Sequence, residues 1–185
     1  MEIDEQRIVF NCQKGDLEDF GLLYETYFKR IYSFVYYRTN HRETAEDLTS
    51  LVFLKALEKI RNFKKGSFSA WLYRIARNSV IDHYRVSKTY LDLVEAMDRS
   101  GNDICADMEQ RELLEQVGKL LDKLDQTQRD IVVMRLWDGL NYREISEIVD
   151  KTEENCKVIF GRTLVKIRQE IGIGASLLIL SLLIK

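Results

Sequence analysis

Apolar residues recur at intervals of three and four along nearly all of this chain, and no proline interrupts them. Ordinary proline usage is about 5%, and each interior proline would remove a helical hydrogen bond and clash with the turn before it. Spacing of this kind turns one stripe of every helix toward a core. The chain is therefore expected to be all-α. With 185 residues, 45% of them hydrophobic, it suits one medium domain or two small ones.

A first helix is expected over Asp4 to Gln13, with Ile8, Val9 and Cys12 inward and Gly15 closing its C-terminus. Asp16 is expected to cap a second, whose stripe includes Phe20, Leu23, Tyr24, Tyr27, Ile31, Phe34 and Val35. These intervals mark most of the aromatics as structural rather than as a base-stacking array. After a break at Thr39-Asn40-His41, a third helix runs from Thr44 to Phe63, with Leu48, Leu51, Val52, Leu54 and Leu57 partly buried. Glu46 and Asp47 add favourable charge to its first turn.

The next stretch, FKKGSFSAWLYRIARNSVIDHYR, opens with a basic, glycine-containing loop and turns helical near Ser69. At 100° per residue, Trp71, Leu72, Ile75, Ala76 and Ser79 share a core-facing arc. Arg74, Arg77, Asn78 and Arg85 lie opposite, edged by Tyr73 and Tyr84. Guanidinium groups pair with phosphates, and flat rings and guanidinium planes stack on bases, so this face suits a nucleic-acid strand. A solvated charged face is the competing reading. Packing is the favoured role for Trp71, Trp137, Tyr73 and Tyr84.

Net charge is only −2, which argues against coating nucleic acid through bulk charge. The distribution is uneven. From Lys59 to Lys88 there are eight basic residues and one acid, Asp82, whereas from Leu91 to Glu109 six acids face one arginine. Residues from about Val86 to Gln110 read as an acidic linker, with room for one short helix around Leu91 to Met97.

A second helical unit begins near Gln110. Leu113, Leu114, Val117, Leu120, Leu121 and Leu124 give one amphipathic helix, and Asp125 leads into another over Gln126 to Asp138, ended by Gly139. Asn141 with Glu144 forms a capping-box-like start for Tyr142 to Val149. After Asp150-Lys151, Thr152 caps a last helix whose inward stripe is Cys156, Ile159, Phe160, Thr163, Leu164 and Ile167. Two helices joined so tightly on a supporting helix form a helix-turn-helix pattern. Its outward positions are Glu154, Asn155, Val158, Arg162 and Val165, flanked by Lys157 and Arg168. Glu154 and Asn155 suit base edges, and Lys157, Arg162 and Arg168 suit phosphates. A helical hairpin used for protein contacts is the alternative.

No phosphate-cradling glycine loop, zinc spacing or nucleophile–base arrangement is present, so neither catalysis nor a metal or other cofactor is expected. Cys12, Cys105 and Cys156 are unpaired in spacing and, with no secretory signal at the start, fit a reducing cytoplasm. The end of the chain, IGIGASLLILSLLIK, carries no charge from Ile171 to Ile184. It is short of the roughly 20 apolar residues of a membrane span. Packing on the protein itself, or serving as a handle for a partner, is favoured over interfacial membrane contact.

The phrases GDLEDFGLLYETY, AEDLTSLVFLKAL and FSAWLYRIARNSVIDHYR in the first half resemble the second conserved region of bacterial sigma factors. LDKLDQTQRDIVVMRLWDGLNYREISEIV and TEENCKVIFGRTLVKIR resemble the fourth. In order and spacing the chain is similar to the extracytoplasmic-function (ECF) group of the sigma-70 family, over about Ile8 to Arg85 and Leu113 to Arg168. The resemblance implies four parts: region two over 1–86, a linker over 87–110, region four over 111–170 and an apolar tail over 171–185. It implies an RNA polymerase sigma factor that directs core polymerase to promoters and assists melting. The alternatives are a stand-alone helix-turn-helix regulator and a membrane-associated helical adaptor.

By the same resemblance, Glu46, Asp47, Ser50, Leu51, Phe53 and Leu54 would dock on the clamp of the polymerase largest subunit, with the flap as a further contact. Lys64, Lys65, Ser67 and Phe68 would receive a base flipped from the minus-ten element, and Arg74, Arg77, Asn78 and Arg85 would hold the adjoining backbone. Glu154, Asn155, Val158 and Arg162 would read the minus-thirty-five duplex, with Arg143 and Lys157 on its phosphates. An anti-sigma factor is the further partner implied. Four positions depart from the family pattern: Ser50-Leu51 for Gln-Glu, Asp125 for proline, and Ile159 where arginine is frequent.

Overall fold

The computed structural model describes residues 4–64, 66–91 and 120–183, with side chains over 4–64, 66–86 and 120–169. The first residues of the expected linker, 87–91, instead continue the helix before it. Lys65, the rest of the linker from residue 92 with its expected short helix, and the expected positions Leu113, Leu114 and Val117 lie outside the described residues. The chain divides into two units, 1–101 and 102–185. Every regular element among the described residues is helical.

In the first unit α1 spans Glu5–Lys14. The Asp4 carboxylate accepts from the Arg7 amide, and Gly15 ends the helix at φ 100°, a left-handed conformation that glycine adopts without strain. Helix α2, Phe20–Thr39, starts later than the sequence suggested. Asp16 does not cap it; its side chain accepts from the Glu18 amide in the connecting turn, and Asp19 holds the N-cap position. Helix α3, Arg42–Lys59, is capped by His41, whose Nδ1 accepts from the Thr44 amide. It stops before Phe63, passing into a 3-10 turn over Ile60–Asn62. Helix α4 spans Phe68–Leu91, and the Ser67 hydroxyl accepts from the Ala70 amide at its start.

Helix α4 packs against both α2 and α3, while α1 packs on α2 and the 3-10 turn. Phe34, Tyr73 and Phe68 are essentially fully buried, with the Phe34 and Tyr73 rings edge-to-face at 5.4 Å. Such pairs contribute about 0.5–1.5 kcal/mol beyond simple burial.

In the second unit a helical turn at 120–122 precedes α5, Gln126–Leu136, then α6, Tyr142–Val149, and α7, Glu153–Leu183. Both α5 and α6 start with complete capping boxes, Asp125 with Gln128 and Asn141 with Glu144. Aspartate thus does at position 125 what a helix-starting residue must do: its carboxylate accepts from the Gln128 amide at 2.9 Å. All three helices pack on one another around Ile131, Val133, Met134, Ile145 and Cys156. The backbone of α7 continues through the apolar tail as far as Leu183, 31 residues in all. No helix among the described residues is long and apolar enough to cross a membrane.

Candidate nucleic-acid and polymerase interfaces

The outward arc of α4 carries Arg74, Asn78 and Arg85, all exposed, with Arg77 half-buried at its margin. The core arc, however, is turned by roughly 60° from the one periodicity indicated. Tyr73 is fully buried rather than at the flank, and Trp71 and Ile75 are half-buried at the edge. Trp71 contacts Phe63 and Phe68, at 5.2 and 5.4 Å between ring centroids. Tyr84 stays exposed, and its hydroxyl donates to the Arg38 carbonyl at 2.5 Å, which fixes the ring along the helix flank. Ser79 is buried, and its hydroxyl accepts from Lys55 Nζ.

The loop before α4 places Lys64 and Gly66 in the open. Gly66 has φ 150°, a value that side-chain-bearing residues rarely adopt, so the loop's path depends on glycine. Two members of the expected base-receiving set are otherwise engaged. Ser67 is a half-buried helix cap, and Phe68 is 2% exposed within a cluster formed with Tyr27, Phe63 and Trp71. Phe68 can present at most a ring edge to a ligand.

On α3, residues 47, 50, 51 and 54 fall on one helical face and all are exposed. Leu54 is 58% exposed and Leu51 39%. Beside them Glu46 is exposed and paired with Arg42 at 2.9 Å. Phe53 is the exception: it is 4% exposed and packs on Tyr24, with 4.7 Å between ring centroids. It supports the face from beneath. A feature not read from the sequence lies alongside, where Tyr24, Phe28, Tyr32 and Tyr36 form a continuous row at successive i,i+4 positions of α2. Burial, with Glu46 nearby, raises the Tyr32 phenol above its ordinary range. The i,i+4 spacing is the signal for this row in the sequence, and it overlaps the core stripe at Tyr24.

In the second unit the turn between α6 and α7 is made by Asp150, whose left-handed φ of 56° lets its amide and that of Lys151 bond back to the Ser146 carbonyl. The Thr152 hydroxyl accepts from the Asn155 amide, fixing the start of α7. Glu154, Asn155, Lys157, Val158, Arg162 and Val165 are all exposed, as is Arg143 on α6. Cys156 and Thr163 are buried on the opposite side. Lys157 pairs with Glu153 at 2.9 Å; that hydrogen bond and charge hold its ammonium above the usual lysine range. Arg143 lies 3.9 Å from Glu147. These exposed pairs are weak and can exchange for phosphate.

The sequence pattern of Sigma-70 region 2 matches residues 23–89, and that of Sigma-70 region 4 matches residues 114–167. The ECF RNA polymerase sigma factor BldN of Streptomyces coelicolor is 35% identical over 159 residues, covering 82% of this chain and 60% of BldN. The ECF RNA polymerase sigma factor SigW of Bacillus subtilis is 30% identical over 164 residues, covering 81% of this chain and 87% of SigW. The fold also matches CnrH, solved in complex with the cytosolic domain of CnrY, with a TM-score of 0.73 at 19% identity, over 90% of this chain and 96% of CnrH. The chain belongs to the ECF sigma factors of the sigma-70 family, initiation subunits that direct core RNA polymerase to promoters and are not themselves catalysts.

Proposed function

We propose that this chain recruits core RNA polymerase to selected promoters and helps open them, with its two units engaging different forms of the DNA. The observation that carries this is the exposed Arg74–Asn78–Arg85 arc on the helix that follows the Lys64–Gly66 loop, opposite the face that helix buries in the core. Guanidinium groups on that arc hold the backbone of an unpaired strand, and the loop region takes an extruded base. Extrusion costs a few kcal/mol per base. Aromatic stacking returns about 1–3 kcal/mol. The half-buried Phe63, with Trp71 packed against it, is the ring best placed to supply it, with Phe68 offering an edge and Ser67 serving as the helix cap.

The start of α7 reads duplex. Glu154, Asn155 and Val158 meet base edges, while Arg143, Lys157 and Arg162 engage phosphates. The α3 face of Glu46, Asp47, Ser50, Leu51 and Leu54 docks on the polymerase largest subunit. Two exposed leucines ringed by polar groups have the composition of an interface centre rather than of a solvated face. An anti-sigma factor that restrains the chain completes this reading, and the polymerase's compartment is its working place.

The test is to add the purified chain to core polymerase on promoter templates and score run-off transcripts. Promoter-specific transcripts are expected. Failure to associate with core overturns the reading, and duplex binding without core supports a stand-alone regulator instead.

A further inference from the structure

Helix α1 lies ahead of the segment matched to region 2, which begins at residue 23. It nevertheless forms one wall of a pocket of about 700 Å³ whose other wall is the loop before α4. From α1 come Glu5, Gln6, Val9, Phe10 and Gln13, a single helical face; from the loop side come Phe63, Lys64, Gly66 and Phe68. The two walls are tied together. Gln13 Nε2 donates to the Phe63 carbonyl at 2.6 Å. Helix α1 also packs on the 3-10 turn, tightly enough that a Cβ at Gly15 would come within 3.2 Å of Arg61 Nη2.

The chemistry of the pocket is divided. Val9 and the rings of Phe63 and Phe68 make an apolar floor, with Phe10, 52% exposed, at its mouth. Lys14 Nζ stands 4.3 Å from the Phe10 ring centroid, so the entrance is positive on the α1 side, and Lys64 is exposed on the loop side. Inside stands one carboxylate. Tyr27 donates its hydroxyl to Glu5 Oε2, which orients Glu5, and among the described residues no donor is bonded to the other oxygen. Apolar ring-lined walls, positive rims and a single oriented acceptor fit one planar heterocycle carrying an N–H donor and attached to a phosphate backbone.

We infer that α1 is the second wall of the pocket that receives the extruded base, and that Glu5, assisted by Gln6, makes it selective for a base presenting an exocyclic amino group, such as cytosine or adenine, over thymine, the one DNA base without one. This rests on the proposed reading of α4 and its loop as the strand-holding surface. An ionised carboxylate only accepts hydrogen bonds. It therefore pairs with the exocyclic amino group of cytosine or adenine. Thymine has a carbonyl in place of that group and only its N3–H, between two carbonyls, to donate, so a carboxylate set at the amino position would leave two acceptors opposed.

The test uses the full chain assembled with core polymerase and three single-stranded probes: all-thymine, and the same oligonucleotide with one central cytosine or adenine. Binding of the cytosine or adenine probe is expected to be about tenfold tighter than that of the all-thymine probe, the scale of one good base contact. Glu5→Gln, which can still accept from Tyr27, is expected to bring that ratio below about twofold while keeping all-thymine affinity. Gln6→Ala, at an exposed position where misfolding is no explanation, is expected to lower the ratio in the same direction. No preference in the unaltered protein, or an equal preference in Glu5→Gln, overturns the inference. Arg74→Ala with Arg77→Ala separates the two ideas. If that variant loses affinity for every probe while Glu5→Gln leaves base preference intact, only the role of α1 falls; if it loses none, the strand-holding reading falls as well.

Discussion

The two units bury different material. The first is built around large rings, with Phe34, Tyr73 and Phe68 at or below 2% exposure. The fully buried apolar side chains of the second are aliphatic, joined by Met134 and Cys156, and its aromatics Trp137, Tyr142 and Phe160 are only half-buried. The first unit gains its rigidity from interlocked rings beneath α3 and α4, which hold two outward faces in fixed register. The second has helices as short as the eight residues of α6, below the length at which an isolated helix is stable in water. It depends on caps to define where each helix begins. On the proposed reading, the surface that holds an unpaired strand sits on a ring-packed core, and the helix end that meets duplex sits on well-defined termini.

The contrast can be broken at several points. Phe34→Ala is expected to destabilise the first unit by about 3–5 kcal/mol, read by calorimetry. Phe160→Ala in the second should cost clearly less, and equal losses would remove the distinction between the cores. Leu51→Ala with Leu54→Ala is expected to weaken core-polymerase association by about 2 kcal/mol or more, roughly thirtyfold, with an unchanged melting temperature, because both side chains already face water. A drop in melting temperature instead would mean that these leucines belong to the fold.

Arg74→Ala with Arg77→Ala should impair promoter opening by up to about thirtyfold, at near-unchanged core binding, since each lost phosphate contact removes a charge-assisted bond worth on the order of 1 kcal/mol. Unchanged permanganate reactivity of the melted thymines would count against it. Asn141→Ala is expected to cost about 1 kcal/mol through loss of the α6 cap. That loss should appear in duplex binding as well as stability, because α6 supports the turn into α7. The smallest effect is expected from Lys157→Ala: weaker duplex binding for all sequences alike, with the salt slope reduced by about 0.9. A change in sequence preference would move Lys157 from phosphates to bases.

Much of the fold was legible because the signals were local. Gly15 ended α1, Asn141 with Glu144 began α6, and Thr152 began α7, each through bonds within four residues of chain. The outward face of α7 was legible too, since Glu154, Asn155, Val158, Arg162 and Val165 follow from one buried stripe. What was not legible depended on how many neighbours a helix has. Helix α4 lies against α2 and α3 together, which widens and turns its core arc until it takes in Tyr73, Val80 and Ser69. Similarly, Leu48, Leu51, Val52 and Leu54 are alike in sequence, yet Leu48 and Val52 are buried while Leu51 and Leu54 face outward. Composition could not divide them.

The chain's own pattern thus determined an all-helical protein with a tight helix-turn-helix motif and basic residues concentrated before and along α4. Periodicity, caps and turn residues act over a few residues and can be read one helix at a time. Only tertiary packing decided that Phe68 and Phe53 lie beneath their surfaces rather than on them, and that α1 closes a pocket with a loop fifty residues further along. Those outcomes depend on which helices meet and at what angle, and no local interval of residues encodes that.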